Sequence, residues 1–167
     1  MIRNVFLTSV LFTLAGSYAW AAIPEVSNAE SAVNQDPLFV TISKLDAGFF
    51  DAFNHCSSPD ELKKHASYLN ENVEFYHDKG GVSWTRKDYI DKTRANVCGN
   101  FRRALVAGSL QVFPIKDYGA IEEGNQTFCY IKSGKCFGGA KFLIVWHHSS
   151  EGWEITRILS YGHHAID

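Results

Sequence analysis

Phe75-Tyr76-His77-Asp78-Lys79-Gly80-Gly81 sets a phenol, an imidazole and a carboxylate side by side, then breaks at two glycines. Near the other end stand Arg157, Tyr161 and His163. A histidine titrating near ~6.5 suits proton transfer at neutral pH. In an extended chain, alternate residues share a face. His77 then faces with Val73 and Phe75, and His163 with Arg157 and Tyr161. His77 and His163 are the candidate acid–base pair, with Asp78 or Asp46 as the orienting carboxylate. The competing reading is two structural histidines in the lining of a pocket. Arg157 reads either as a clamp for a substrate anion or as an ion-pair partner of Glu74, Asp78 or Asp46. Asp46 reads as a pocket carboxylate or as a helix-edge residue in water. Phe49, Phe53, Tyr76, Trp84, Trp146 and Tyr161 are the candidate pocket lining, although aromatic residues at such spacings also build cores. Arg102-Arg103 opens a strand and reads as solvated.

His147-His148 and His163-His164 suggest a four-histidine metal centre. The two pairs lie at opposite ends of one hairpin, roughly 30 Å apart at ~3.3 Å per residue. Metal-bound nitrogens sit within ~2.1 Å of one ion, so the four cannot converge. His77 and His163 with a carboxylate would make a smaller site, but no ligand-spacing motif supports it. No metal and no cofactor is expected.

The elements that must position these groups follow from pattern. Asp36-Pro37 starts a helix through an N-cap and a first-turn proline. Ile42, Leu45, Phe49 and Phe53 recur at helical spacing, with Asp46 on the same stripe. Ser58-Pro59-Asp60-Glu61 starts a second helix as a capping box, running to about Tyr68. "ENVEFYHD" is the first strand. Thr85 with Asp88 caps a third helix that Gly99 stops. The period then becomes two: "RALVAGSLQVFPI", "YGAIEEGNQTFCYI", "AKFLIVWHH" and "WEITRILSYGHH" read as four strands. If His148 opposes Trp153, the bulky face of the last hairpin carries Phe142, Ile144 and Trp146 and, across, Trp153, Ile155, Leu159 and Tyr161, and lies under the helices. The fold class is α+β: helices on one face of an antiparallel sheet.

The chain has 167 residues and a formal net charge of −2. After Arg3, residues 5–15 are mostly apolar, and Ala19-Trp20-Ala21 has the small-x-small form of a cleavage site. Residues 1–21 read as a secretory signal peptide cleaved near Ala21. Residues 22–36 read as a linker and 37–167 as one domain. The mature chain is expected in the periplasm or outside the cell, without a membrane span. No cluster of positive charge suggests nucleic acid as a partner. The four cysteines are an even set in an exported chain, which favours disulfides. Of three possible connectivities we expect Cys129–Cys136, across the turn at residues 132–135, and Cys56–Cys98, which join two helix ends.

"DAFNHC", "ENVEFYHDKGG", "VCGNFRRALVAGSLQVFPIKDYGA", "FCYIKSGKC" and "WEITRILSYGHH" together resemble an exported bacterial branch, of uncharacterised function, within the nuclear transport factor 2-like superfamily. The resemblance covers roughly residues 37–167. It implies a curved antiparallel sheet wrapped round the N-terminal helices as a cone, with a pocket at the open end. The superfamily holds isomerases, dehydratases and cyclases as well as binding and assembly modules, so fold alone does not decide function. Related members often carry an acidic residue where this chain has Gly162. The resemblance implies three functions: a binding protein for a small hydrophobic or amphipathic molecule; an enzyme of isomerase, dehydratase or cyclase type using His77 and His163; or a dimeric structural module, a homodimer.

Overall fold

A computed structural model describes residues 36–166. The proposed signal peptide and nearly all of the linker lie outside the described residues. Three helices precede or interrupt the sheet: α1 (Pro37–Asn54), α2 (Pro59–Ser67) and α3 (Arg86–Asn96). The strands are β1 (Leu69–His77), β2 (Gly81–Ser83), β3 (Phe101–Leu105), β4 (Gln111–Ile115), β5 (Gly119–Tyr130), β6 (Cys136–Ser149) and β7 (Gly152–Ala165).

Local chemistry explains most helix ends. Asp36 Oδ1 accepts from the Leu38 N–H at 2.7 Å, and Pro37 fits the first turn. Thr85 Oγ1 accepts from the Asp88 N–H at 3.2 Å. Ser58 differs from expectation: its side chain makes no capping bond. The start of α2 rests instead on Pro59 and on Asp60 and Glu61 in its first turn, which complement the helix dipole.

The sheet order is β2-β1-β7-β6-β5-β3, with β4 also on β5. It curves around α1, whose inward stripe buries Ile42, Asp46, Phe49 and Phe53. Ile42, Phe49, Ile144, Trp146 and Ile155 are fully buried at the centre. Two pairings depart from a simple meander. The expected single strand over 103–115 breaks at Gly108, whose φ is 73°, and both halves pair with β5. β1 lies beside β7 in parallel, which puts His77 directly opposite Ser160.

The β6–β7 hairpin begins in the expected register, with His148 opposite Trp153 and Trp146 opposite Ile155. Then Val145 pairs with Arg157, so one residue of β7, Thr156, is extra. Such a bulge reverses the faces of everything after it. Ile158 and Ser160 therefore point inward, and Arg157, Leu159 and Tyr161 outward. A second register shift lies between the Lys141–Tyr161 and Gly139–His164 pairs, around Gly162 with φ 67°. It turns His163 inward again.

Both expected disulfides are present: Cys56–Cys98 ties the turn after α1 to the turn after α3, and Cys129–Cys136 ties β5 to β6. No helix among the described residues is long and apolar enough to cross a membrane.

Candidate functional site: a cavity ending in a histidine stack

A cavity of about 380 Å³ lies between α1, α3 and the inner face of the sheet. Phe53, Phe75, Phe101, Phe142 and Ile158 supply its apolar wall. His77, Ser83, Gln126 and Ser160 supply polar atoms, and Arg103 borders it from behind Phe50. Pairing opposite Ser160 sets His77 beside that hydroxyl on the inner face.

The His77 and His163 rings stack at 4.2 Å with 12° between their planes. Both Nδ1 atoms face Asp78 Oδ1, at 3.5 Å from His77 and 2.5 Å from His163. The two rings therefore have the same orientation, but their partners give them different protons. His77 Nδ1 accepts from the backbone N–H groups of Lys79 and Gly80, at 3.1 and 2.9 Å. Its proton must then be on Nε2, which is left as the donor of a ring that lines the cavity. Burial, aided by the neighbouring His163, lowers the His77 pKa against the pull of Asp78. The Gly80-Gly81 break thus supplies the turn whose amides hold His77.

His163 Nδ1 faces an ionised carboxylate. Burial alone would raise the Asp78 pKa. The His163 backbone N–H, the His163 ring and the Gly162 N–H outweigh it and hold the pKa at about 2. His163 therefore donates from Nδ1. Its Nε2 lies 3.3 Å from Ser160 Oγ.

The other side of Ser160 leads to a buried polar chain. Gln126 Nε2 donates to Ser160 Oγ at 3.0 Å. Gln126 Oε1 accepts from Arg103 Nε at 3.2 Å. Arg103 also holds Asp46 through two bonds of 3.1 Å and stacks on Phe50 at 3.7 Å. An arginine can only donate, so Gln126 must present its amide N–H to Ser160. Ser160 already accepts there, which leaves its own proton for His163 Nε2. The direction of the chain is thus set from both ends: Arg103 to Gln126 to Ser160 to His163 to Asp78.

Glu122 closes the buried end. Burial, and the nearby Asp46, raise its pKa well above the ordinary carboxylate value, which favours the neutral acid. Trp146 Nε1 donates to its Oε2 at 2.6 Å. Its Oε1 is buried without a donor, which fits an acid proton there, facing Asp46. On the far side of Arg103 and Phe50, Asp46 borders a second, more open hollow of about 630 Å³.

The candidate residues are therefore dispersed. His77 and Phe53 line the cavity, and His163 and Asp78 stand behind its His77–Ser160 end. Phe49 is in the core, stacked on His65 at 4.2 Å, and Trp146 is fully buried. The first bulge puts Arg157 and Tyr161 outside. Arg157 Nε meets Glu74 at 2.9 Å, and Tyr76, also outward, donates its hydroxyl to Glu74. Trp84 is 62% exposed. Asp46 is not in water and orients neither histidine; it pairs with Arg103. Arg103 is 4% exposed rather than solvated, whereas Arg102 is exposed. Ser160, Gln126, Arg103 and Phe142 are site residues that the pattern did not single out. Gly162, just before His163, is a local sign of a bulge at that end of the strand.

His77, Asp78 and His163 bring potential ligand atoms within 4.8 Å of one another. Parallel stacked rings cannot aim in-plane lone pairs at one ion, and His77 Nδ1 already accepts two N–H groups. The cluster suits hydrogen bonding better than metal ligation.

No family model matches the chain, and no curated protein does. Solved structures do. A protein of unknown function with a cystatin-like fold from Nostoc punctiforme superposes with a TM-score of 0.60 at 11% identity, covering 72% of this chain and 87% of that one. A nuclear transport factor 2-like protein from Novosphingobium aromaticivorans gives 0.59 at 14%, covering 83% and 90%. The hexachlorocyclohexane dehydrochlorinase LinA-type3 from Novosphingobium barchaimii gives 0.58 at 9%, covering 76% and 91%. The fold is that of the nuclear transport factor 2-like superfamily: an α+β cone.

Proposed function

We propose that this chain is an exported protein whose cone binds one small, mostly apolar or amphipathic molecule. The observation that carries this reading is the 380 Å³ cavity, walled largely by aromatic and aliphatic side chains, with polar groups at the His77, Ser160 and Gln126 end and along the Ser83 and α3 side, where Lys92, Thr93 and Asn96 stand. That is the composition of a pocket that holds a ligand by burial and orients it with few hydrogen bonds. A fluorescent apolar probe should bind once per chain. Ile158→Trp, which fills the cavity from β7, should weaken binding at least tenfold. Equal binding by both proteins would remove the cavity as the site.

A second reading is catalysis by proton transfer, and the Asp78–His163 pair favours it. A carboxylate held ionised against an imidazole orients it for proton transfer. His77 would act as a neutral donor rather than as a base, because its Nδ1 is already taken. The neighbouring dehydrochlorinase shows that such a cone is compatible with an enzyme.

A further inference from the structure

The directional chain reaches one atom to which neither reading gives a chemical role. Ser160 Oγ sits in the cavity wall, its proton directed to His163 Nε2 and His163 directed by Asp78. A hydroxyl with a positioned base, and a base held by a third group, is the arrangement that activates a serine. We propose that Ser160 is a nucleophile, and that the cavity accepts small apolar acyl esters and carries out acyl transfer to water. The inference rests on the cavity being a ligand site.

The step follows from the bonds present. Ser160 Oγ attacks the ester carbonyl carbon as its proton passes to His163 Nε2. The carbonyl electron pair moves to oxygen. Collapse expels the alcohol, which takes the proton from His163, and leaves an acyl group on Ser160. Water then adds to that acyl group, giving its proton to His163. The acid departs, and the proton returns to Ser160 Oγ.

Two donors near Ser160 are assigned to the carbonyl oxygen as it becomes negative. Gln126 Nε2, 3.0 Å from Ser160 Oγ, is held in its donating orientation by Arg103. His77, whose Nδ1 already accepts two N–H groups, carries its proton on Nε2, and its strand position is directly opposite Ser160. Preorganised donors of this kind stabilise the developing charge. The same geometry separates the two histidines by role: His163 moves protons and His77 donates a hydrogen bond. The phenylalanines around Ser160 restrict the acyl group to compact apolar ones.

The test is covalent labelling of the folded, disulfide-bonded protein with a fluorophosphonate and with p-nitrophenyl butyrate, read by intact mass and peptide mapping. One adduct per chain on Ser160 is expected. It should vanish in Ser160→Ala and return as a thioester in Ser160→Cys. Asp78→Asn should slow labelling roughly 100-fold or more, through loss of the tautomer His163 needs. Apolar-probe binding is measured on the same samples. No adduct on Ser160 in wild type that still binds the probe overturns this proposal and leaves the ligand site standing. No adduct and no probe binding overturns both. Labelling of Asp78→Asn at the wild-type rate also overturns it, because the relay would then contribute nothing.

Discussion

His77 and His163 lie 4.2 Å apart, yet they are not equivalent. Backbone amides decide one ring and a carboxylate the other. His65 is a third case, on a different element. Its Nδ1 donates to the Phe49 carbonyl at 3.0 Å, and its Nε2 accepts from the Tyr89 hydroxyl at 3.3 Å. Burial lowers its pKa to about 4, partly opposed by the Phe49 carbonyl. The folded state therefore prefers the neutral ring, and the unfolded chain binds the extra proton first. Its contribution is complete above pH ~6.5 and lost as pH falls toward 4, up to about 3 kcal/mol. Thermal melting should show this loss between pH 6.5 and 4, and His65→Gln should flatten it. The Asp78 contribution lies lower, present above its ordinary value near 4 and lost as pH falls through about 2. Arg103 gives a second test. Arg103→Met leaves Asp46 buried without its partner and should cost about 3–5 kcal/mol in urea unfolding. Adding Asp46→Asn should recover part of that loss. An additive double mutant would mean the pair is not coupled.

Elements decide which of these residues can meet. The helices, the hairpin turn and the start of its register were legible, because proline caps, the 3.6 period and alternation are local signals. Trp146 opposite Ile155 follows from counting back from the turn. Counting failed at Thr156, where the bulge is a compromise between strand twist and the curvature that the cone needs. Arg157 and Tyr161 were placed inward for that reason alone. His163 ends up inward because the second shift, at Gly162, undoes the first. The parallel β1–β7 pairing, which puts His77 beside Ser160, is a long-range choice with no local signature. Arg103 looked like one of two surface arginines, since its partner Asp46 lies 57 residues away. Gly162→Val tests the second bulge. A β-branched residue disfavours φ 67°, at a cost of about 1–2 kcal/mol. The melting point should fall, and the downfield His163 Nδ1 proton in NMR should be lost. A retained His163–Asp78 proton signal would show that the strand end does not depend on the bulge.

The whole molecule is a half-open cone braced by two covalent ties. Cys56–Cys98 closes a segment of 42 residues and fixes α1 to α3, two walls of the cavity. Cys129–Cys136 closes only 7. In the chain-entropy account these stabilise by about 4 and about 2.5 kcal/mol. Replacing Cys56 and Cys98 by serine should lower the melting temperature more than replacing Cys129 and Cys136, by differential scanning calorimetry under oxidising conditions. The reverse order would place the effect in the folded state rather than in the unfolded chain. Export and cavity binding are tested together by native mass spectrometry of the protein recovered from its exported fraction, wild type beside Ile158→Trp. The expected species is a chain beginning near Ala22, four hydrogens lighter than the reduced mass, with one small molecule per chain in wild type and none in the variant. An unprocessed chain would contradict export. Retention of the same molecule by both proteins would contradict the cavity as the place where this fold does its work.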